Sequence, residues 1–404
     1  MPKLNVSRRA LLTATTLGAV TAAVGARPAL ATPRGRRTGP VGITRTTATA
    51  ADVTAVPLGD PDGLYMWRPR AVNRHGDAVG GGSPAADGSV VWIDGELHVP
   101  RQPGTGSVTL EAINDGGQLV GGFRRSGDYK QFAVVFPDGV AGDPVVLEPG
   151  DDVRDSCAYF LNNDGQVLYT ALAQGAEAQH RTFRYDLNDG SRTEVEPPAG
   201  YSGAVRPRGL NDAGQVIATS GDLHFFWENG AATPLAADGL RALHHLNEAG
   251  QVLASRGANA ERGACVWRDG VLTDVPPLNE HGFRVPPEQP LNDLGDVIGV
   301  SDTATGLLVP ILHSGGRTTE LPVVGARDTS PRAINNSGLV VGRIEVSEGI
   351  DHACQWQNGE FLELGVVQGW VTTQALWVTD QGVILAYATD GTTRAGVAYQ
   401  LTVS

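Results

Sequence analysis

Arg332-Ala333-Ile334-Asn335-Asn336-Ser337-Gly338-Leu339-Val340-Val341-Gly342 is the stretch on which the fold turns. A short apolar strand runs into Asn335, three residues make a turn, and a second apolar strand leaves it. An asparagine side chain can bond the backbone two residues on and so stabilise a tight turn. A glycine three residues later can take the positive φ that closes a short hairpin. The same Asn-x-x-Gly phrase occurs at Asn73, Asn114, Asn162, Asn211, Asn247 and Asn292, and an eighth copy carries Thr379 in place of asparagine. The mean spacing is about 44 residues, the period of a four-stranded propeller blade.

The rest of each repeat fits that period. After Leu339–Ile344 a loop leads to His352-Ala353-Cys354-Gln355-Trp356, then Gln357-Asn358-Gly359 turns into Glu360–Leu364. Asp94-Gly95, Asp138-Gly139, Asp189-Gly190, Asn229-Gly230 and Asp269-Gly270 stand where Asn358-Gly359 does and mark the same hairpin. Third strands supply bulk through Trp92, Phe136, Tyr185, Trp227, Trp267 and Trp356, which reads as packing between blades. Second strands end on Gly80, Gly121, Ala218, Ala254, Gly299 and Gly342, small residues expected to let neighbouring blades approach. The expected fold is all-β, a β-propeller of eight four-stranded blades. The eighth repeat runs out of chain one strand short, and residues 52–58 resemble the fourth strands elsewhere. They are expected to complete the last blade and close the ring.

The chain ahead of the ring carries other signals. Ser7-Arg8-Arg9-Ala10-Leu11-Leu12, the apolar run to Ala26 and Ala29-Leu30-Ala31 resemble a twin-arginine export leader with cleavage after Ala31. The apolar run is shorter than the ~20 residues of a membrane span. Residues 32–50 read as a flexible tail and 51–404 as the propeller. An extracellular location and a monomer are expected.

The net charge of −13 becomes −17 once Lys3, Arg8, Arg9 and Arg27 are removed with residues 1–31, leaving Lys130 as the sole lysine. Such acidity argues against nucleic acid and anionic membranes as partners. Cys157, Cys265 and Cys354 are read as buried thiols, since propeller geometry keeps the last two apart.

The repeat resembles the HAF-repeat proteins of bacteria, whose units read I-N-x-x-G-x-V-V-G and H-A-F-x-W-x-x-G. Ile334–Gly342 and His352–Gly359 match these phrases, with Cys354 in place of Phe. The resemblance covers residues 52–404 and implies an exported repeat protein; it brings no catalytic residues.

A site is sought where a propeller presents loops around its channel. Three residues before each turn asparagine stand Arg70, Glu111, Tyr159, Arg208, His244, Gln289 and Arg332, with Arg68 and Arg206 two residues earlier in two copies. Arginines in a ring hold carboxylate, sulfate or phosphate bidentately. They also pair with acids such as Glu111 and Asp155 to order loops. Tyr65, Trp67, Tyr201 and Trp370 lie in the same loops, and aromatics beside arginines suit sugar binding. No His-Glu-x-x-His, Gly-x-Ser-x-Gly, phosphate loop or Cys-x-x-Cys occurs, and neither cofactor nor metal is expected. The two rings of His244-His245 are expected to point apart. Asp151, Asp152 and Asp155 read as a solvated turn, as does Asp60-Pro61-Asp62-Gly63. The leading reading is a module that binds a polysaccharide or another extracellular protein. A carbohydrate-active hydrolase or lyase using Glu111 is the second, and a structural envelope protein the third.

Overall fold

The computed structural model describes residues 53–59, 65–83, 88–127, 130–147, 153–174, 180–235, 240–257, 263–278, 282–302, 308–325, 328–366, 370–391 and 394–401. The export leader, the tail, the Asp60–Gly63 turn, Asp151 and Asp152 lie outside these residues, as do the side chains of Tyr65 and Trp67.

Eight antiparallel sheets follow one another along the chain. The innermost strands of blades 1–5, 7 and 8 are Tyr65–Val72, Gly106–Ile113, Val153–Leu161, Val205–Leu210, Leu240–Leu246, Asp328–Ile334 and Thr372–Val378. The ring closes as the sequence implies. Val53–Pro57 pairs antiparallel with Arg394–Leu401, from Val53 opposite Leu401 to Pro57 opposite Val397. Leu58 then donates its N–H to Gly396 and is fully buried between the last blade and the first. The first and last described strands thus share one sheet, which removes an open edge.

Blade 6 departs from the pattern. Its regular sheet holds three strands, Val297–Asp302, Leu308–Ser314 and Arg317–Glu320. In place of a continuous inner strand, residues 283–291 make isolated bridges at Arg284–Val300 and Leu291–Val297. Pro286, Pro287 and Pro290 explain the break, because proline gives no N–H to a ladder. Gln289 instead exchanges backbone bonds with Arg332 and Ile334 of blade 7 (3.1 and 3.0 Å).

Apolar clusters lie between successive blades all the way round. Val79 and Val91 of blade 1 pack on Leu110, Leu119 and Phe136 of blade 2, and Leu58, Met66 and Trp92 pack on Leu385 and Ala398 at the junction of blades 8 and 1. The bulky third-strand residues serve this packing: Trp227 and Trp356 are almost wholly enclosed. Cys157, Cys265 and Cys354 are buried and free, and burial pushes their thiols up, to about 12 for Cys157 and about 11 for Cys265.

The turn chemistry is as read. The glycines three after each turn asparagine, Gly338 among them, have φ of +73 to +88°. Asp94, Asn229, Asp269 and Asn358 have φ of 49 to 57° ahead of their glycines, as the tightest hairpin turns demand.

The second-strand glycines correct an expectation. A Cβ on Gly80, Gly121 or Gly342 would meet, at 2.0 to 2.3 Å, the carbonyl of Arg68, Thr109 or Ser330. Those carbonyls belong to the inner strand of the same blade, so the close approach is within a blade and not between blades. A bulge lies beside each of these contacts, although the same bulge faces Tyr169, Ala218, Ala254 and Ala386 in other blades. The pairing of inner and second strands skips a residue between Pro69 and Ala71, Leu110 and Ala112, Ala158 and Phe160, Pro207 and Gly209, Leu243 and His245, Pro331 and Ala333, and Ala375 and Trp377. An extra residue bends its strand and re-aims its own side chain.

Candidate functional site

The bulged residue is Arg70, Glu111, Tyr159, Arg208, His244, Arg332 or Leu376, three before the turn residue in each case. The positions singled out from the repeat are therefore the ones that leave the sheet ladder, at the mouth opposite the Asn-x-x-Gly turns. Leu376 of blade 8 is buried and Gln289 of blade 6 lies in the irregular segment, so the ring is uneven.

One side of this mouth is neutralised. Arg70 pairs with Glu111 of the next blade, and Glu288 takes Arg68 of blade 1 at 3.6 Å and Arg332 of blade 7 at 3.5 Å. Glu288 thereby straps blade 6 across the mouth to blade 1. Burial raises the pKa of both carboxyls, against the lowering effect of their arginines. A cavity of about 470 Å³ lies here, lined by Arg68, Arg70, Thr109, Glu288 and Trp377. Farther out, Arg343 bridges Asp328 (2.9 Å) and Asp351 (2.7 Å), which also accepts from Gln374. These pairs tie strands and blades together, and of their members only Glu288 lies outside a strand. With guanidiniums on both Glu111 and Glu288, the carboxyl proposed as a catalytic acid is tied into an ion pair.

The other side is open. Tyr159, Thr170, His180, Arg206, Arg208 and His244 line a cavity of about 520 Å³ spanning blades 3, 4 and 5. Among the described residues neither Arg206 nor Arg208 has an ion-pair or hydrogen-bond partner, and both are exposed. Tyr159 is 40% exposed beside them. The Nε2 atom of His244 is buried without a partner, and burial lowers its pKa. Asp155 stands near His180 on the rim; burial raises its pKa, while His180, Arg124 and Arg154 pull it down. The cavity is thus a basic, partly aromatic pocket with unspent hydrogen-bond donors.

The ring residues accordingly fall into two pockets rather than one. Gln289 lines a third cavity inside the channel. Trp370 packs against the apolar cluster between blades 7 and 8 and joins neither group. His244 and His245 face different cavities, as strand alternation implies. Three features are not among the residues that the repeat singles out: Glu288, whose role depends on the proline-broken strand; His180, on the neighbouring blade's third strand; and the residue following each turn asparagine. The last is visible as a repeat column, namely Arg74, Asp115, Asn163, Asp212, Glu248, Asp293, Asn336 and Asp380.

No family model and no curated protein matches the sequence. Among solved structures, the WD40 domain of SCAP from fission yeast is similar, with a TM-score of 0.50 and 9% identity over 87% of this chain and 99% of that one. The β-propeller domain of the Trilobed protease from Pyrococcus furiosus gives 0.46 and 12% over 76% and 99%. Dipeptidyl peptidase 4 of Porphyromonas gingivalis gives 0.38 and 11% over 73% of this chain, which spans 59% of that protein. At such identities the likeness concerns the fold alone. This chain is an eight-bladed β-propeller.

Proposed function

We propose that the chain is an exported binding module that captures an anionic saccharide in the cavity of blades 3–5. The observation that carries this reading is the pair of unengaged guanidiniums, Arg206 and Arg208, beside exposed Tyr159. Arginine binds carboxylate or sulfate through paired N–H donors. A tyrosine ring offers an apolar face for a sugar and a hydroxyl for its edge. Buried Nε2 of His244 lacks a hydrogen-bond partner, and a sugar hydroxyl supplies one. Export by the twin-arginine route and membership of the HAF-repeat proteins belong to the same proposal, on the strength of Ser7–Leu12 and the matched repeat phrases.

A glycan array of neutral, uronate-bearing and sulfated chains, probed with the mature protein and the Arg206→Ala/Arg208→Ala variant, tests it. Binding restricted to the acidic glycans and lost in the variant is the expected result. Equal signals from both proteins, or silence across the acidic glycans, would reject it. An acidic protein segment is the alternative occupant of the same donors.

A further inference from the structure

At the opposite mouth, the residues that follow the turn asparagines form a second ring. The side chain of each accepts the backbone N–H of its counterpart one blade earlier: Asp115 from Arg74, Asn163 from Asp115, Asp212 from Asn163, Glu248 from Asp212, Asp293 from Glu248, Asn336 from Asp293 and Asp380 from Asn336 (2.7 to 2.9 Å). The first duty of these acids is therefore structural. Most of their remaining oxygens are also taken. The second oxygens of Asp212 and Asp380 accept from the amides of Asn163 and Asn336, that of Asp293 from Asn336, and that of Asp115 faces the Arg74 guanidinium at 3.4 Å.

Glu248 is the exception. Its Oε2 takes the Asp212 N–H, and its Oε1 has no partner among the described residues. Glu248 opens onto a channel cavity of about 320 Å³ that is also lined by Arg74, His245, Asp293, Trp377 and Asp380. The His245 imidazole has no hydrogen bond among the described residues, is half-buried, and lines this cavity. Burial holds it neutral, pushing its pKa down to about 4, so one ring nitrogen is an acceptor. The cavity thus presents a carboxylate oxygen, an unused imidazole and an indole. No group of three or more His, Cys, Asp or Glu among the described residues is arranged to ligate a metal.

We propose that this cavity binds a primary alkylammonium group, such as the end of a polyamine. Its three N–H donors suit Glu248 Oε1 and the His245 nitrogen, and its charge suits the face of Trp377. The site is separate from the anion pocket of blades 3–5 and does not rest on it.

Titration calorimetry of the full chain at about pH 8, above the raised pKa of Glu248, with n-butylammonium and with spermidine tests the proposal, with tetramethylammonium as a cation that lacks N–H donors. Saturable binding of both amines is expected, about tenfold weaker or worse in Glu248→Gln and in His245→Phe. Tetramethylammonium should bind more weakly than either amine. The side-chain amide that Glu248→Gln introduces keeps an oxygen for the Asp212 N–H, so this variant should fold and, at about pH 6.5, melt no lower than the wild type. Arg206→Ala/Arg208→Ala should bind the amines as the wild type does. Absence of saturable heat, or equal affinity in wild type and Glu248→Gln, would overturn the proposal and leave only general attraction to an acidic protein.

Discussion

The side-chain amide of Asn335 donates to the backbone carbonyl of Thr379 at 2.8 Å, and there a chain of such bonds ends. The six links before it run from Asn73 to Asn114 and on through Asn162, Asn211, Asn247 and Asn292 to Asn335, at 2.8 to 3.1 Å. Each asparagine also caps its own turn, as when Oδ1 of Asn335 accepts from Ser337 and Leu339. One buried side chain therefore shapes a hairpin and latches the next blade. Thr379 keeps the cap, accepting from Val383, but has no amide to offer Asn73. The junction of blades 8 and 1 lacks the latch and relies on the shared terminal sheet and its apolar cluster.

Thr379→Asn should complete the chain. Asn335 shows that the geometry works with an apolar residue four positions on, Leu339, and Val383 holds that place in blade 8. One buried hydrogen bond contributes about 1 kcal/mol net. Thermal unfolding of the variant should shift upward by a few degrees, about the shift such a bond gives a large domain. A lower midpoint would mean that blade 8 stands too far from Asn73. The reverse change, Asn162→Ala, strips partners from the buried Asn211 carbonyl and from the half-buried Gln166 amide oxygen and N–H, and should cost about 1–3 kcal/mol.

The closing strand gives a second test. Leu58 is fully buried where the N-terminal segment meets blades 1 and 8, and Leu58→Ala should destabilise by about 2–5 kcal/mol. Deleting residues 52–58 removes the outer strand of blade 8 and exposes the edge of Arg394–Leu401. That variant should fail to fold or should aggregate. An unchanged melting temperature in denaturation experiments would show that the ring does not depend on the shared sheet.

The spacing of Asn73 to Thr379 and the strand-like residues 52–58 made the ring and its closure legible, because turn chemistry and period are local properties of sequence. The latch between asparagines was not legible, since it depends on how far apart blades pack. The bulges stayed hidden for a related reason: Arg70 and its equivalents differ in type, and what they share is a backbone detour. Gly80, Gly121 and Gly342 make room for a carbonyl of their own blade's inner strand, not for a neighbouring blade. At the site, all the arginines had equal standing in the repeat. Only the proline-broken segment of blade 6 brings Glu288 to Arg68 and Arg332, leaving Arg206 and Arg208 unpaired.

Glu288 should hold that strap in place. Glu288→Ala leaves the partly buried Arg332 without its acid, and removing one partner of such a pair costs about 3–5 kcal/mol when burial is full. Arg332 retains some exposure, so the loss should be smaller. Hydrogen exchange should quicken in residues 283–291, with the outer strands of blades 2–4 unaffected. Uniform protection in wild type and variant would show that the prolines and the Gln289 backbone bonds alone fix the segment.

The acidic mouth predicts an unusual dependence of stability on pH. Burial, followed by the neighbouring carboxylates, pushes Glu248 up from 4.5 to about 7. Across that window the folded protein keeps a proton that the unfolded chain has released, so stability falls as pH rises. Burial pushes His245 the other way, from 6.5 down to about 4, so below 6.5 the unfolded chain takes up a proton that the folded protein refuses. Its contribution therefore rises with pH between those values. The two slopes oppose each other up to pH 6.5, above which Glu248 acts without His245. Glu111 and Glu288, whose pKa values burial also raises, have the sign of Glu248, and comparison of wild type with Glu248→Gln removes them from the difference. Melting temperatures of the wild type should decline between pH 6.5 and about 8, and those of Glu248→Gln should decline less. Parallel curves for the two proteins would mean that Glu248 ionises as freely in the folded protein as in the unfolded chain.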